Sequence, residues 1–521
     1  MKMDIQLVKT KEMFCMESAM ASIARWKNRN YEMMFLKTIG FDFDYEKACE
    51  EKNIGRNIYC GYDNKDIIDS LEKYHGIKVE NNEFFDNPIS SIKELLNKST
   101  PITLFIPDSY CNWIDDFGRY TFIMIVGYEN DVFYCIDIHL GTADIHSLKF
   151  KCIDSLYQKN NKISYQTYTI VADEDKNISI NNLISSLENS EYYLNSEVIL
   201  NKMHKLADFI ESRLDLEIEM KGEAINYFVP IRLNLSHILR SRLLIGKLLE
   251  YVYKVTNDDI AKKLSSKFTI LGLEWEKAVF LLDKLLYKKR ISNEPIEGYS
   301  EVCSKIATRL RKVMNEEHQF IQKLCRNEQI EMDEYIVHNL ESCQSFEEIV
   351  ECDIRNCFDN RAFASTLENI EHADISGFNE YFVSGCLDNE INVNVFGHNF
   401  SLCPNSLGYD NIVCKNQEIK IKSDRYSKMV IIGCAVWGDG SGIISMKSNN
   451  GEKKIHMRIS DWYNILENNI VWCGNAIDLM GNIGKRAVSM YIYSLNNNDM
   501  LDSLLLPDTT NVHIFKILFF K

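Results

Sequence analysis

One cysteine of the sixteen in this chain stands where a thiol can do chemistry. Cys15 opens the run Cys15-Met16-Glu17-Ser18-Ala19-Met20, which continues as Ala21-Ser22-Ile23-Ala24-Arg25-Trp26. Met16, Met20 and Ile23 recur at helical spacing, as do Ala19 and Trp26. This predicts an amphipathic helix with Glu17, Arg25 and Lys27 on its wet side. A sulfur in the first turn faces the positive end of the helix dipole, which favours the thiolate and so a nucleophile. The competing reading is a core cysteine, because a free thiol packs like a small apolar side chain.

The other cysteines point to no second chemistry. No CxxC pair occurs, and Cys352 with Cys357 lacks a partner pair, so no metal site is expected. Met1 to Gln6 lacks the apolar core of a signal peptide, and no uncharged apolar run reaches bilayer length. The expectation is a cytoplasmic chain with reduced thiols and no membrane partner. A formal net charge of −16, from 59 basic and 75 acidic residues, argues against a general nucleic-acid binder. At 521 residues the chain is too long for one ordinary core, so two to four domains are expected.

Three textures follow one another. In the first, up to about residue 175, short helical patterns cover Asp44 to Lys52, Lys65 to Tyr74 and Ile89 to Leu96, with Pro88 placed to start the last. The period then changes. Pro101 to Pro107 is an apolar strand bracketed by prolines, and Tyr120 to Tyr128 is a second, apolar enough to be central. Glu129-Asn130-Asp131 turns tightly into Val132 to Asp137. Helices followed by an antiparallel sheet make an α+β domain.

That order resembles the N-terminal part of the butirosin biosynthesis protein H family, a branch of the papain-like cysteine peptidase fold. The residues carrying it are Cys15-Met16-Glu17-Ser18-Ala19, then Pro101 to Pro107 with Asp108-Ser109-Tyr110. Phe122 to Tyr128 running into Cys135-Ile136-Asp137 completes the match. The resemblance implies an acyltransferase that takes an acyl or peptidyl group from the phosphopantetheine arm of a carrier protein and passes it to a small amine. No other cofactor is implied. Cys15 would be the nucleophile and Asp137 the acid that orients a histidine, with Glu17, Asp108, Tyr110 and Thr121 against the substrate.

Thr121 stands where the family carries its catalytic histidine. Threonine is no base near neutral pH. The nearest candidate is His139, two residues after Asp137 and on the same face if the strand continues; His146 and His75 are further options. Three outcomes follow: chemistry lost with binding retained, a base relocated to His139, or a thioester needing less base assistance than an amide.

From about 176 to 345 the chain reads as a bundle of five or so helices, with apolar stripes at Ile238 to Val252 and Ile270 to Tyr287. The order is similar to the second domain of the same family. The basic run Lys288-Lys289-Arg290, with Arg309, Arg311 and Lys312, could dock an acidic carrier protein or be a solvated face. From about 346 to 521 short strands and Asn/Gly/Asp turns predict a β-sandwich, with a hairpin at Asn449-Asn450-Gly451. This block resembles non-catalytic β-sandwich modules of bacterial glycoside hydrolases through Asp353-Ile354, Phe358-Asp359-Asn360, Tyr409 to Val413, Ile431 to Ala435, Ser441-Gly442 and Ser460-Asp461-Trp462. Trp437, Trp462 and Trp472 could stack on a sugar or pack in the core.

Overall fold

A computed structural model describes the chain apart from residues 1, 11, 61–62, 85, 115–119, 140–143, 173–178, 224–225, 292–295, 297, 327–334, 337–347, 366–372, 378–379, 385–390, 403–407, 466–468, 478–482 and 496–499. It divides into two compact units: Met1–Trp275 with Leu310–Ile330, and Glu276–Arg309 with Glu331–Lys521. The first unit takes in all of the expected N-terminal domain and most of the expected helical one. The expected boundaries at 175 and 345 fall outside the described residues. Both units mix helix and sheet, so the chain is α+β in class.

The first unit opens with an extended arm and the helix α1 (Cys15–Trp26). After α1 come the two-residue strands β1 (Asp42–Phe43) and β2 (Ile58–Tyr59), with α2 (Tyr45–Glu51) between them and α3 (Asn64–His75) beyond. Then follow β3 (Ile77–Phe84), α4 (Pro88–Asn97), β4 (Ile102–Pro107), β5 (Tyr120–Glu129), β6 (Val132–Asp137), β7 (Ile145–Lys149), α5 (Phe150–Asn160) and β8 (Ile163–Ile170). β3 to β8 form one antiparallel sheet in the order β3-β8-β4-β5-β6-β7. Its inner strand β5 is buried from Thr121 to Gly127, as its unbroken apolar run requires. Asn130 takes a left-handed backbone, φ 51°, and closes the β5–β6 hairpin.

Against this sheet α1 is buried on nearly every side, from Glu17 to Ala24. Its small residues Ser18, Ala19, Ala21, Ser22 and Ala24 let neighbours approach closely from several directions. The arm before it is fastened at both ends. The Met3 N–H donates to the Val126 carbonyl at 2.8 Å, and the Val8 N–H donates to Ser22 Oγ at 2.8 Å.

Among the described residues the α-helices that follow are α6 (Ile180–Glu188), α7 (Glu191–Leu194), α8 (Ser196–Arg213), α9 (Leu216–Glu219), α10 (Pro230–Thr256), α11 (Asp259–Ile291) and α12 (Tyr299–Cys325). Inside the first unit Arg242 of α10 pairs with Glu317 of α12 at 2.6 Å, both side chains fully buried. The Trp275 indole N–H donates to the other carboxylate oxygen of Glu317 at 3.0 Å. Two charges are tolerable there because donors surround the carboxylate and the Gly40 carbonyl accepts from Arg242 at 3.0 Å. Gly55 shows how closely the chain approaches α10. A Cβ there would lie 2.0 Å from the Ile231 nitrogen.

The second unit stacks sheets in a sandwich-like way. An eight-stranded sheet has Lys428–Ala435 between Asp508–Phe520 and Ile483–Ser494, and a five-stranded sheet contains the hairpin Gly440–Ser448 with Gly451–Ile459. Met429, Ile431, Ile517 and Phe519 share one core with Ile444, Met446, Ile455 and Met457. The opposite face of the larger sheet, with Val430, Ile432, Val488 and Phe515, shares a second core with Phe363 and Phe382 from strands at the far edge of the same sheet and with Trp462. Strand Lys428–Ala435 is thus buried on both faces and reads as a continuous apolar run. The residues that suggested an accessory module tie loops together. Asp410 accepts from the N–H groups of Ala362 and Phe363 at 2.8 and 2.9 Å, and Asp359 accepts from that of Val413 at 2.8 Å.

Candidate active site around Cys15

Cys15 is the first residue of α1 and is half-buried. Its Sγ lies 3.8 Å from Nδ1 of His139. The strand that brings His139 near does not extend to it. β6 ends at Asp137, and the Asp137 carboxylate accepts the His139 N–H at 3.0 Å. An aspartate bonding the backbone two residues on makes a turn, and the turn, instead of continued extension, carries the imidazole to the thiol.

Asp137 is fully buried. Beyond the His139 N–H it accepts from the Thr121 hydroxyl at 3.0 Å and from the Trp113 indole N–H at 2.9 Å. The carboxylate therefore reaches the histidine through the backbone and anchors the turn. Thr121, at the position where a histidine was expected, faces this carboxylate from β5.

The thiol differs from the expectation of a dipole-favoured thiolate. Burial raises the Cys15 pKa above its ordinary value, because the charged form loses water. The Lys9 ammonium opposes this, Asp137 adds to it, and the Cys15 N–H and the Arg240 guanidinium lower it more weakly. The resting sulfur is thus a thiol that must give up a proton to act. Lys9 itself is depressed by burial, and its Nζ donates to the carbonyls of Ile138 and His139, at 2.6 Å each.

Glu17 also departs from the expected wet side. It is 3% exposed, because as the third residue of α1 it folds back to accept the Phe14 N–H at 2.8 Å, the carboxylate half of a capping box. Burial pushes its carboxyl up to about 7, against the Phe14 N–H bond and Arg240. Phe14 stacks on His237 with centroids 4.3 Å apart, and Arg240 sits 4.4 Å over the Phe14 ring. Burial lowers His237 to about 4, helped by Arg240, so this imidazole is neutral near pH 7. Phe14, Glu17 and His237 line a cavity of about 650 Å3 with Tyr59, Asp63 and Asn234.

The remaining candidates are placed as follows. Asp108 is buried just beyond β4, with its carbonyl accepting the Cys111 N–H. The Tyr110 carbonyl accepts from the Cys152 thiol at 3.8 Å. His146 stacks on Trp113, centroids 4.7 Å apart. His75 is fully buried and accepts the Met33 N–H at Nε2, 3.1 Å away. The structure thus brings Cys15, Asp137, His139 and Thr121 into one cluster. Sequence reasoning missed Lys9, Trp113 and Arg240, each of which arrives from a separate stretch. A cavity of about 780 Å3, lined by groups such as Asp42, Lys73, Ser185 and Lys202, does not include Cys15.

Among the described residues, no three His, Cys, Asp or Glu side chains are placed to hold a metal ion. No helix among them is long and apolar enough to cross a membrane. The arrangement can take a proton from a thiol, hold the resulting charge beside an ammonium, and offer the first-turn N–H groups of α1 to a developing oxyanion. No family model and no curated protein matches the chain.

Proposed function

We propose that the chain is a cytoplasmic, cysteine-dependent acyl- or peptidyl-transferase with a papain-like N-terminal region, related to the butirosin biosynthesis protein H family. The observation that supports it is the 3.8 Å approach of the Cys15 sulfur to the His139 imidazole at the start of a helix. The donor is a thioester on the phosphopantetheine arm of an acyl or peptidyl carrier protein, and the acceptor is a small amine.

Because the thiol is protonated at rest, His139 Nδ1 takes its proton as Sγ attacks the thioester carbon. The new C–S bond forms, the carrier's C–S bond breaks, and the proton held by His139 passes to the departing carrier thiolate. The amine then attacks the Cys15 thioester. A C–N bond replaces the C–S bond, and the amine's proton returns to Cys15 through His139. Lys9 holds the turn beneath His139 and stabilises negative charge on the sulfur. The sandwich serves as an accessory module.

A second reading, a papain-like protein that binds a carrier-bound or peptide ligand without turnover, draws on the burial-raised thiol and on Thr121 in place of the family histidine. Intact-mass measurement with acylated carrier proteins separates the two. The transferase gains an acyl adduct that Cys15→Ala cannot form, and His139→Ala slows transfer several-fold. Full-rate transfer by Cys15→Ala would sink the covalent route, and binding of carriers without any adduct would favour the second reading.

A further inference from the structure

The second unit contains a small chamber of about 230 Å3, lined by Tyr287, Trp437, Trp462, Tyr463, Glu380 and Asp461. Four of these are aromatic and two are carboxylates, and no lining side chain is basic. The rings are set at angles to one another. Tyr287 and Trp437 meet at 60° with centroids 4.7 Å apart, and Trp462 and Tyr463 at 86° with centroids 5.9 Å apart.

Several bonds fix this arrangement. The Trp437 indole N–H donates to the Ser376 carbonyl at 2.8 Å. Its backbone takes φ +66°, a left-handed conformation that bulky residues rarely adopt. Asp461 accepts from the Gly438 N–H at 2.5 Å and from the Tyr463 N–H at 2.8 Å, joining the two loops that carry the aromatics. Glu380 is 4% exposed, so its carboxylate acts across a medium that screens poorly.

Ring faces are negative and attract cations, most strongly where water is excluded. The chain already uses two of these rings so. The Arg486 guanidinium lies 3.4 Å over Tyr463 and 5.2 Å from the Trp462 centroid. A rigid aromatic enclosure closed by carboxylates repels anions. A neutral sugar would bring no positive charge to the ring faces. The volume is below the roughly 300 Å3 at which pockets for drug-sized ligands begin, so the occupant is a small head group. We propose that this chamber binds a quaternary or methylated ammonium group.

The test titrates the full chain with choline, read by tryptophan fluorescence and calorimetry. Comparison ligands are 3,3-dimethylbutan-1-ol, which replaces the charged nitrogen by carbon, and glucose. Choline is expected to bind saturably and the neutral isostere about tenfold more weakly, since charge over aromatic faces is what differs. Trp437→Leu and Tyr287→Leu are each expected to weaken choline several-fold with an unchanged circular dichroism spectrum, and Glu380→Gln to weaken it further than the isostere. Tyr287→Leu removes a half-buried helix side chain, so it reads the chamber even if Trp437→Leu fails to fold. Equal binding of the isostere, glucose binding without choline binding, no choline binding, or unchanged affinity in Tyr287→Leu overturns the proposal.

Discussion

Lys9 holds the carbonyl oxygen of His139 at 2.6 Å, and the same Nζ holds that of Ile138. An arm residue therefore fixes the turn on which the imidazole rides, while its charge lowers the thiol that burial raises. One side chain does both tasks.

Replacing Lys9 by methionine removes the charge and leaves two carbonyls without that donor. The thiol then feels burial and Asp137 without the opposing ammonium, so its titration moves to higher pH. Alkylation of Cys15 by iodoacetamide, followed by mass across pH, should shift alkaline and slow several-fold at pH 8. Lys9→Arg should restore most of the profile. An unchanged profile in Lys9→Met removes Lys9 from the thiol's surroundings.

Glu17 should make stability depend on pH in a set direction. Its folded carboxyl titrates near 7 against an ordinary 4.5, so the folded state keeps a proton that the unfolded state has already released. The folded state binds more protons between those values, and its stability falls as pH rises through them. The loss is on the order of 3 kcal/mol for a shift of this size. Glu17→Gln can still accept the Phe14 N–H but carries no charge. Urea unfolding at pH 5 and pH 8 should show the variant gaining on the parent at the higher pH, and parallel slopes would contradict the buried-carboxyl account.

The Arg242–Glu317 pair is a further place where one change has a large effect. Arg242→Met leaves the fully buried Glu317 carboxylate without its guanidinium, at a cost of about 3–5 kcal/mol. Arg242→Met combined with Glu317→Leu should recover much of that in denaturant unfolding, since an apolar pair of similar volume needs no partner. Equal loss in the single and double variants would mean that packing, not the stranded charge, sets the cost.

Much of the fold could be read in the chain because the signals are local. The apolar run in β5, Asn130 at the hairpin and Asn449-Asn450-Gly451 in the sandwich each act through near neighbours. β3 was harder to see. Its Glu-Asn-Asn-Glu stretch belongs to an edge strand, five of whose eight residues are at least partly exposed. At the site, spacing singled out Cys15, while the family resemblance pointed to Asp137 and, two residues on, to His139. Spacing mistook the way His139 arrives, because an i to i+2 bond from Asp137 breaks the strand period. Helical period put Glu17 in water, and capping drew it inside. Lys9, Trp113 and Arg240 carry no local mark, since they meet the cluster only through tertiary packing. Trp462, one of three candidate sugar platforms, is 1% exposed and its ring meets Phe382 in the core.

The arm before α1 has a kinetic consequence. Hydrogen bonds from the Met3 and Val8 N–H groups and the Lys9 ammonium fasten it, Glu12 pairs with Lys247 at 2.7 Å, and Met3, Ile5 and Met13 are buried in the core. A segment lying outside the main helices and strands opens locally, at a free energy below that of global unfolding. Each opening withdraws an ammonium from beside the Cys15 sulfur while the sheet stays intact. The thiol is thereby a built-in clock for that motion, and its labelling rate and hydrogen exchange at Met3 and Val8 should share one dependence on denaturant.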